Sequence, residues 1–195
     1  MTTAAHTFDS LVQPPEGSSA SEPDNPAEPE PEPSASTVCA DPGLGERAGA
    51  LDLAWIAARL RNAVAQFGQP VRTVEVTVVG EPRIRELHQR HLGSDEATDV
   101  LAFSLGVPGA PIEADIAICL DVAAAAASER GHRVEQELLL YALHGLLHCA
   151  GHEDKTDEGF AAMHAEEDRI LSAISVGSTF GRAPIRAVDQ RGHEP

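Results

Sequence analysis

The segment VEQELLLYALHGLLHCA, residues 134–150, constrains the fold more than any other. Beyond its first turn it is apolar on nearly every side, so a helix made from it can expose little to water. Such a helix belongs at the centre of a core, with the other elements packed around it. It nevertheless carries two histidines, His144 and His148. Positions i and i+4 lie one turn apart on one helix face, so the two imidazoles can converge on one ion.

The flanking sequence supplies the wrapping. LDLAWIAARLRNAVAQFG, residues 51–68, repeats apolar residues at spacings of three and four (Leu53, Ile56, Leu60, Val64, Phe67) and predicts an amphipathic helix stopped by Gly68 and Pro70. Residues 71–79 alternate valines and predict a strand. Residues 81–92 predict a helix with Pro82 in its first turn. Strands are expected at 98–105 and 114–120. Ala-rich 121–130 reads as a helix capped by Asp121. Residues 157–174 predict a closing helix with Phe160, Met163, Ile170 and Leu171 inward. The irregular mixture predicts an α+β fold, a single domain in which a small mixed β-sheet packs against helices around a central metal-binding helix.

Composition sets the limits of that domain. Residues 1–38 are rich in Pro, Glu, Ser and Ala and hold few apolar residues, which predicts a disordered acidic tail. Its plain reading is a solubilising segment. The folded unit is expected over residues 40–174, and residues 176–195 are expected to form a flexible C-terminal tail. The net charge is −17, and residues 40–172 alone hold 22 acidic against 11 basic residues. No Lys/Arg block is present, so a nucleic acid would be met locally rather than by a broad basic face. DNA and membrane are not expected as partners. No apolar run reaches the length of about 18 residues that spans a bilayer. The N-terminus has no signal-peptide pattern, and three unpatterned cysteines fit a reducing, cytoplasmic setting.

The histidine pair is followed by Gly151, suited to a left-handed helix cap that reverses the chain. A third ligand can then return to the pair, leaving an open position on a zinc-like ion. Asp154 and His152 are the candidates. Asp154, three positions beyond the glycine, is favoured, and a mixed His/Asp set also accepts other divalent metals. Cys149 neighbours His148, points about 100° away and reads as a small buried hydrophobe. Zinc proteases of the HExxH type place their general base directly after the first histidine; here that position is Gly145, which argues against a protease.

Three blocks together resemble one family. HGLLHCAGHED, residues 144–154, is similar to the HGxLHLxGYDH signature of the YbeY-type endoribonucleases, bacterial rRNA maturation factors. LHQRHLGSDEATDVLAFSL, residues 87–105, resembles the family's LNxxYRxKDxPTDVLSFP stretch. EADIAICLDVA, residues 113–123, resembles its GDIxI strand and following helix. The resemblance covers residues 71–174, and more loosely the helix from 51. It implies a metal-dependent, single-strand-specific endoribonuclease of rRNA processing, acting near the 3′ end of small-subunit rRNA, with rRNA and the small ribosomal subunit as partners. It also implies three metal ligands, His144, His148 and the residue at Asp154, where the family usually has its third histidine. Other positions depart from the pattern. His91-Leu92 replaces a Tyr-Arg pair, Ser94 stands where Lys is common, and Ala97 replaces Pro. With the acidic charge balance, these changes predict weak or partner-dependent RNA binding.

One zinc per chain, or another divalent ion, is the expected cofactor. Candidates for proton transfer are His91, His152 and, if it is not a ligand, Asp154. The plain reading of His91 is a polar residue at a helix end. Thr98 and Asp99 read either as support for the site or as strand-start chemistry. Two other functions compete with the nuclease: a non-catalytic ribosome assembly factor with a structural metal, and a metal-dependent hydrolase of small substrates.

Overall fold

The structure, a computed structural model, describes residues 35–107 and 109–177. The two expected tails lie outside the described residues, except for positions 35–38 and 176–177. Positions 35–38 correct the expected boundary. They belong to a strand, β1 (Ala35–Ala40), paired in parallel with β2 (Val71–Val79). Val38 is the only strong strand former of ASTVCA besides Thr37, so the segment has little signal of its own. It is ordered by the backbone of β2.

Among the described residues, four strands form one mixed sheet in the order β1-β2-β4-β3, with β3 at Val100–Ser104 and β4 at Ile112–Cys119. β1, β2 and β4 run parallel, and β3 returns antiparallel to β4. The helices are α1 (Glu46–Gly49), α2 (Leu53–Val64), α3 (Glu81–Leu92), α4 (Leu120–Arg130), α5 (Val134–Cys149) and α6 (Asp157–Ala173). The mixed sheet with its helices is the α+β architecture expected from the sequence.

Strand alternation separates the two faces of the sheet. Val74, Val76, Val78, Ala114, Ile116 and Ile118 join the main core with α2 and α5. Val79, Leu101, Ala117 and Cys119 form a smaller cluster that packs with Ile84 and Leu87 of α3. α5 is indeed central: every residue from Leu138 to Leu147 except His144 is buried. Asp121 is not the cap of α4, whose N-cap position is Cys119. Its carboxylate instead accepts the Glu81 N–H at the start of α3 and pairs with Arg47. An acceptor there satisfies one of the unpaired amides of the first helical turn.

Gly145 sets the distance between α5 and the sheet. A Cβ at this position would lie 3.0 Å from Val100 Cγ2 and 3.1 Å from both Ala102 Cβ and Ile116 Cγ2. The sequence suggests that Gly145 leaves room beside the histidines; the structure gives that room to the sheet. Gly→Ala inside a helix ordinarily gains about 1 kcal/mol. Overpacking a core costs about 1–3 kcal/mol. Gly145→Ala is therefore expected to destabilise the chain by about 1 kcal/mol net, read as a lower midpoint in denaturant unfolding. A rise in that midpoint would show that α5 can move off the sheet freely.

Candidate metal centre

α5 carries His144 and His148 to its C-terminal end, where the chain reverses. Gly151 has φ 93°, and the reversal is a Schellman motif: the Gly151 N–H donates to His148 O, and the His152 N–H donates to Leu147 O, each at 3.0 Å. The expected left-handed glycine is thus present. The turned chain brings Asp154 back over the histidines. Asp154 Oδ2 lies 3.9 Å from His144 Nε2, and Asp154 Oδ1 lies 3.9 Å from His148 Nε2. One nitrogen from each histidine and one carboxylate oxygen lie within 4.8 Å of one another. Among the described residues this is the one His/Cys/Asp/Glu group of that kind.

Neighbouring groups fix both rings. His144 Nδ1 donates to Glu167 Oε1 at 2.8 Å, and His148 Nδ1 donates to the His152 carbonyl at 3.0 Å. A carboxylate and a carbonyl only accept, so each Nδ1 carries a proton and each Nε2 is left to the site. The two Nε2 atoms are 3.1 Å apart. Two nitrogen lone pairs cannot face each other at that distance without a positive centre, either a shared proton or an ion. Two imidazole nitrogens and a carboxylate oxygen suit zinc and related divalent ions, so the residues present fit a metal.

The electrostatics follow from the same contacts. Burial opposes a charged His144. The hydrogen bond and charge of Glu167, with the charges of Asp99 and Asp154, outweigh it, and the His144 pKa lies above the ordinary 6.5. A raised imidazole pKa stabilises the fold fully below the unfolded value and stops doing so as pH rises through the folded one. The metal-free chain is therefore expected to lose thermal stability as pH climbs from about 6.5 through the His144 transition. Zinc affinity should rise over the same window as the competing proton leaves. Thermal midpoints with and without chelator across that range check both; a flat pair of profiles would contradict the Glu167–His144 pairing.

A family model described as Endoribonuclease YbeY matches residues 52–175, from the start of α2 to the end of α6. The chain belongs to the YbeY endoribonuclease family. A Deinococcus radiodurans relative named Endoribonuclease YbeY is 44% identical over 106 residues, covering 52% of this chain and 68% of the relative. A Thermus thermophilus relative of the same name is 38% identical over 122 residues, covering 58% of this chain and 88% of the relative. All three blocks of family pattern singled out in the sequence, residues 87–105, 113–123 and 144–154, lie inside the matched region.

The remaining candidates take different places. His152 is half-buried and gives its carbonyl to His148. His91 is exposed, with its ring 4.8 Å from that of Phe103. Phe103 belongs to the α3 side of β3, opposite the side on which Val100 and Ala102 meet Gly145. The structure therefore does not bring His91 to the histidine pair. Cys149 packs against the main core, where burial pushes its thiol up to about 11, and its sulfur is not among the ligand atoms that converge with His144, His148 and Asp154. Asp99 takes the strand-start role: its carboxylate accepts the Val100 N–H and the Thr98 hydroxyl, while its negative charge is among those that raise the His144 pKa.

Glu167 is the site residue that the sequence reading missed. It is 0% exposed, on the inward stripe of α6 with Met163, Ile170 and Leu171. A glutamate four positions after an inward Met and three before an inward Ile is the available signal: a buried charge needs a partner, and His144 is that partner.

Proposed function

We propose that the chain is a metal-dependent endoribonuclease acting on single-stranded RNA in small-subunit rRNA maturation, with His144, His148 and Asp154 as ligands to one zinc or similar ion. The observation that carries this reading is the pair of Nε2 atoms, fixed from behind by Glu167 and the His152 carbonyl, converging with a returning carboxylate. The family membership supplies the substrate class. A divalent ion held there would acidify a water and offset charge on a scissile phosphate. The ribosomal small subunit is the partner of this reading and a reducing cytoplasm its setting, in keeping with three free cysteines. No helix among the described residues is long and apolar enough to cross a membrane.

The protein side of the reaction is positioning and proton transfer. Of the two histidine candidates for proton transfer, His152 is two residues from Asp154 in the same returning turn, and we assign it that role. His91, across β3, is the less well placed. General acid–base catalysis contributes roughly 10²- to 10⁴-fold. His152→Ala is expected to lower single-turnover cleavage by at least about 100-fold with metal still bound, and His91→Ala by far less. The reverse ranking would move the proton acceptor to α3.

RNA binding is expected to be local. Nine of the eleven cations in residues 40–172 stand in ion pairs with acidic neighbours: Arg47, Arg72, Arg83, Arg85, Arg90, Arg130, Arg133, Lys155 and Arg169. Arg90, the nearest replacement for the arginine of the family's Tyr-Arg pair, is bound to Glu86. The test of the whole reading is cleavage of a single-stranded RNA by the purified chain. Cleavage that chelator abolishes, zinc restores and His144→Ala removes supports it. Intact RNA with stoichiometric metal bound would favour the assembly-factor reading.

A further inference from the structure

We propose that His164 is a positioning residue for the metal centre, acting on His144 through Glu167; this rests on the ligand set proposed above. Glu167 uses its two carboxylate oxygens separately. Oε1 accepts from His144 Nδ1 at 2.8 Å, and Oε2 accepts from His164 Nδ1 at 2.6 Å. The carboxylate is fully buried, so both oxygens must find donors inside the protein. His164 lies one turn before Glu167 on α6, in the i,i+3 relation that lets the two side chains meet. The Phe160 ring stands edge-on to the His164 ring at 4.1 Å and 80°, one further turn back, and fixes its plane. The result is a chain running from Phe160 through His164 and Glu167 to His144, entirely between α6 and α5.

What the chain does follows from geometry. A carboxylate held by one oxygen alone can swing about its terminal torsion, and His144 would then lose its acceptor or share it. With Oε2 tied to His164, Oε1 stays opposite His144 Nδ1. The His144 proton stays on Nδ1, and Nε2 stays directed at the site. Glu167 stands one step behind a metal ligand, where such groups typically hold roughly 10- to 100-fold of metal affinity, and His164, one step further back, holds the lower part of that range through it.

The test reads metal affinity and the His144 tautomer in the full chain. Zinc affinity is measured by competition with a chromogenic chelator for wild type, His164→Leu and His164→Asn. Asn offers an N–H donor near the place of His Nδ1, whereas Leu fills the space without one. His164→Leu is expected to weaken zinc on the order of 10-fold, and His164→Asn to restore most of that. In a Glu167→Gln background, His164→Leu should cost nothing further, because the link it serves is already broken. Nitrogen NMR of the metal-free chain should show His144 protonated on Nδ1 in wild type and in His164→Asn, and a tautomer mixture in His164→Leu. Thermal midpoints establish that each variant is folded. Unchanged affinity and tautomer in a folded His164→Leu overturn the proposal, as does an equal loss in both Glu167 backgrounds. If wild type binds no zinc, the ligand assignment fails, while the tautomer comparison still decides whether His164 governs His144.

Discussion

Replacing His148 with Ala is expected to empty the metal centre. Wild type purified with zinc available should carry about one ion per chain, and His148→Ala close to none, since His144 and Asp154 alone leave only two of the three protein ligands typical of such a centre. The fold should survive, because His148 is partly exposed at the last turn of α5 and makes its ring hydrogen bond to the turn rather than to the core. Thermal unfolding gives an independent reading. A ligand at 100 times its Kd stabilises by about 2.7 kcal/mol, which for a domain of this size is roughly 5–10 °C. Wild type should show that shift on zinc addition, and His148→Ala should not. Full metal retention by a folded His148→Ala would place the ion elsewhere.

Gly159→Ala is expected to have the largest effect on the fold around the site, although Gly159 touches no ligand. A Cβ at this position would lie 2.3 Å from the Glu153 carbonyl oxygen and 3.1 Å from Thr156 Oγ1. The obstacle is backbone, so the returning turn itself has to move. Thr156 caps α6 by accepting the Gly159 N–H, which holds the turn and the helix start together. Displacing Glu153 displaces the adjacent Asp154 from the two Nε2 atoms. A loss of about 1–3 kcal/mol from overpacking outweighs the gain of about 1 kcal/mol that Ala brings to a helix. Zinc affinity should fall together with stability. Reduced stability with unchanged affinity would mean that Asp154 is not a ligand or that the turn relaxes without moving it.

These two cases show what the sequence can and cannot disclose. His144, His148 and Gly151 are legible because their chemistry is local: a helical spacing and a left-handed cap need no knowledge of the rest of the chain. The choice of Asp154 over His152 is legible as a preference, since the turn length decides it. Glu167 lies 23 positions from His144, and only the packing of α6 on α5 joins them. Gly145 and Gly159 look alike as helix glycines, yet one meets the sheet and the other a carbonyl oxygen. β1 escaped because its order is borrowed from β2 across the intervening helices. Asp121 read as the cap of its own helix, whereas its carboxylate reaches the first turn of α3. In each case the missing information is a long-range contact.

The central claim is that one ion is held by two imidazoles and the carboxylate that replaces the family's usual third histidine. X-ray absorption at the zinc edge of the loaded chain tests it most directly. The account expects two imidazole nitrogens at about 2.0–2.1 Å and a protein carboxylate oxygen at about 2.0–2.2 Å, with the carboxylate contribution lost in Asp154→Ala. A third imidazole in place of the carboxylate would make His152 the ligand, and a sulfur at about 2.3 Å would bring in Cys149; either result would contradict the site described here.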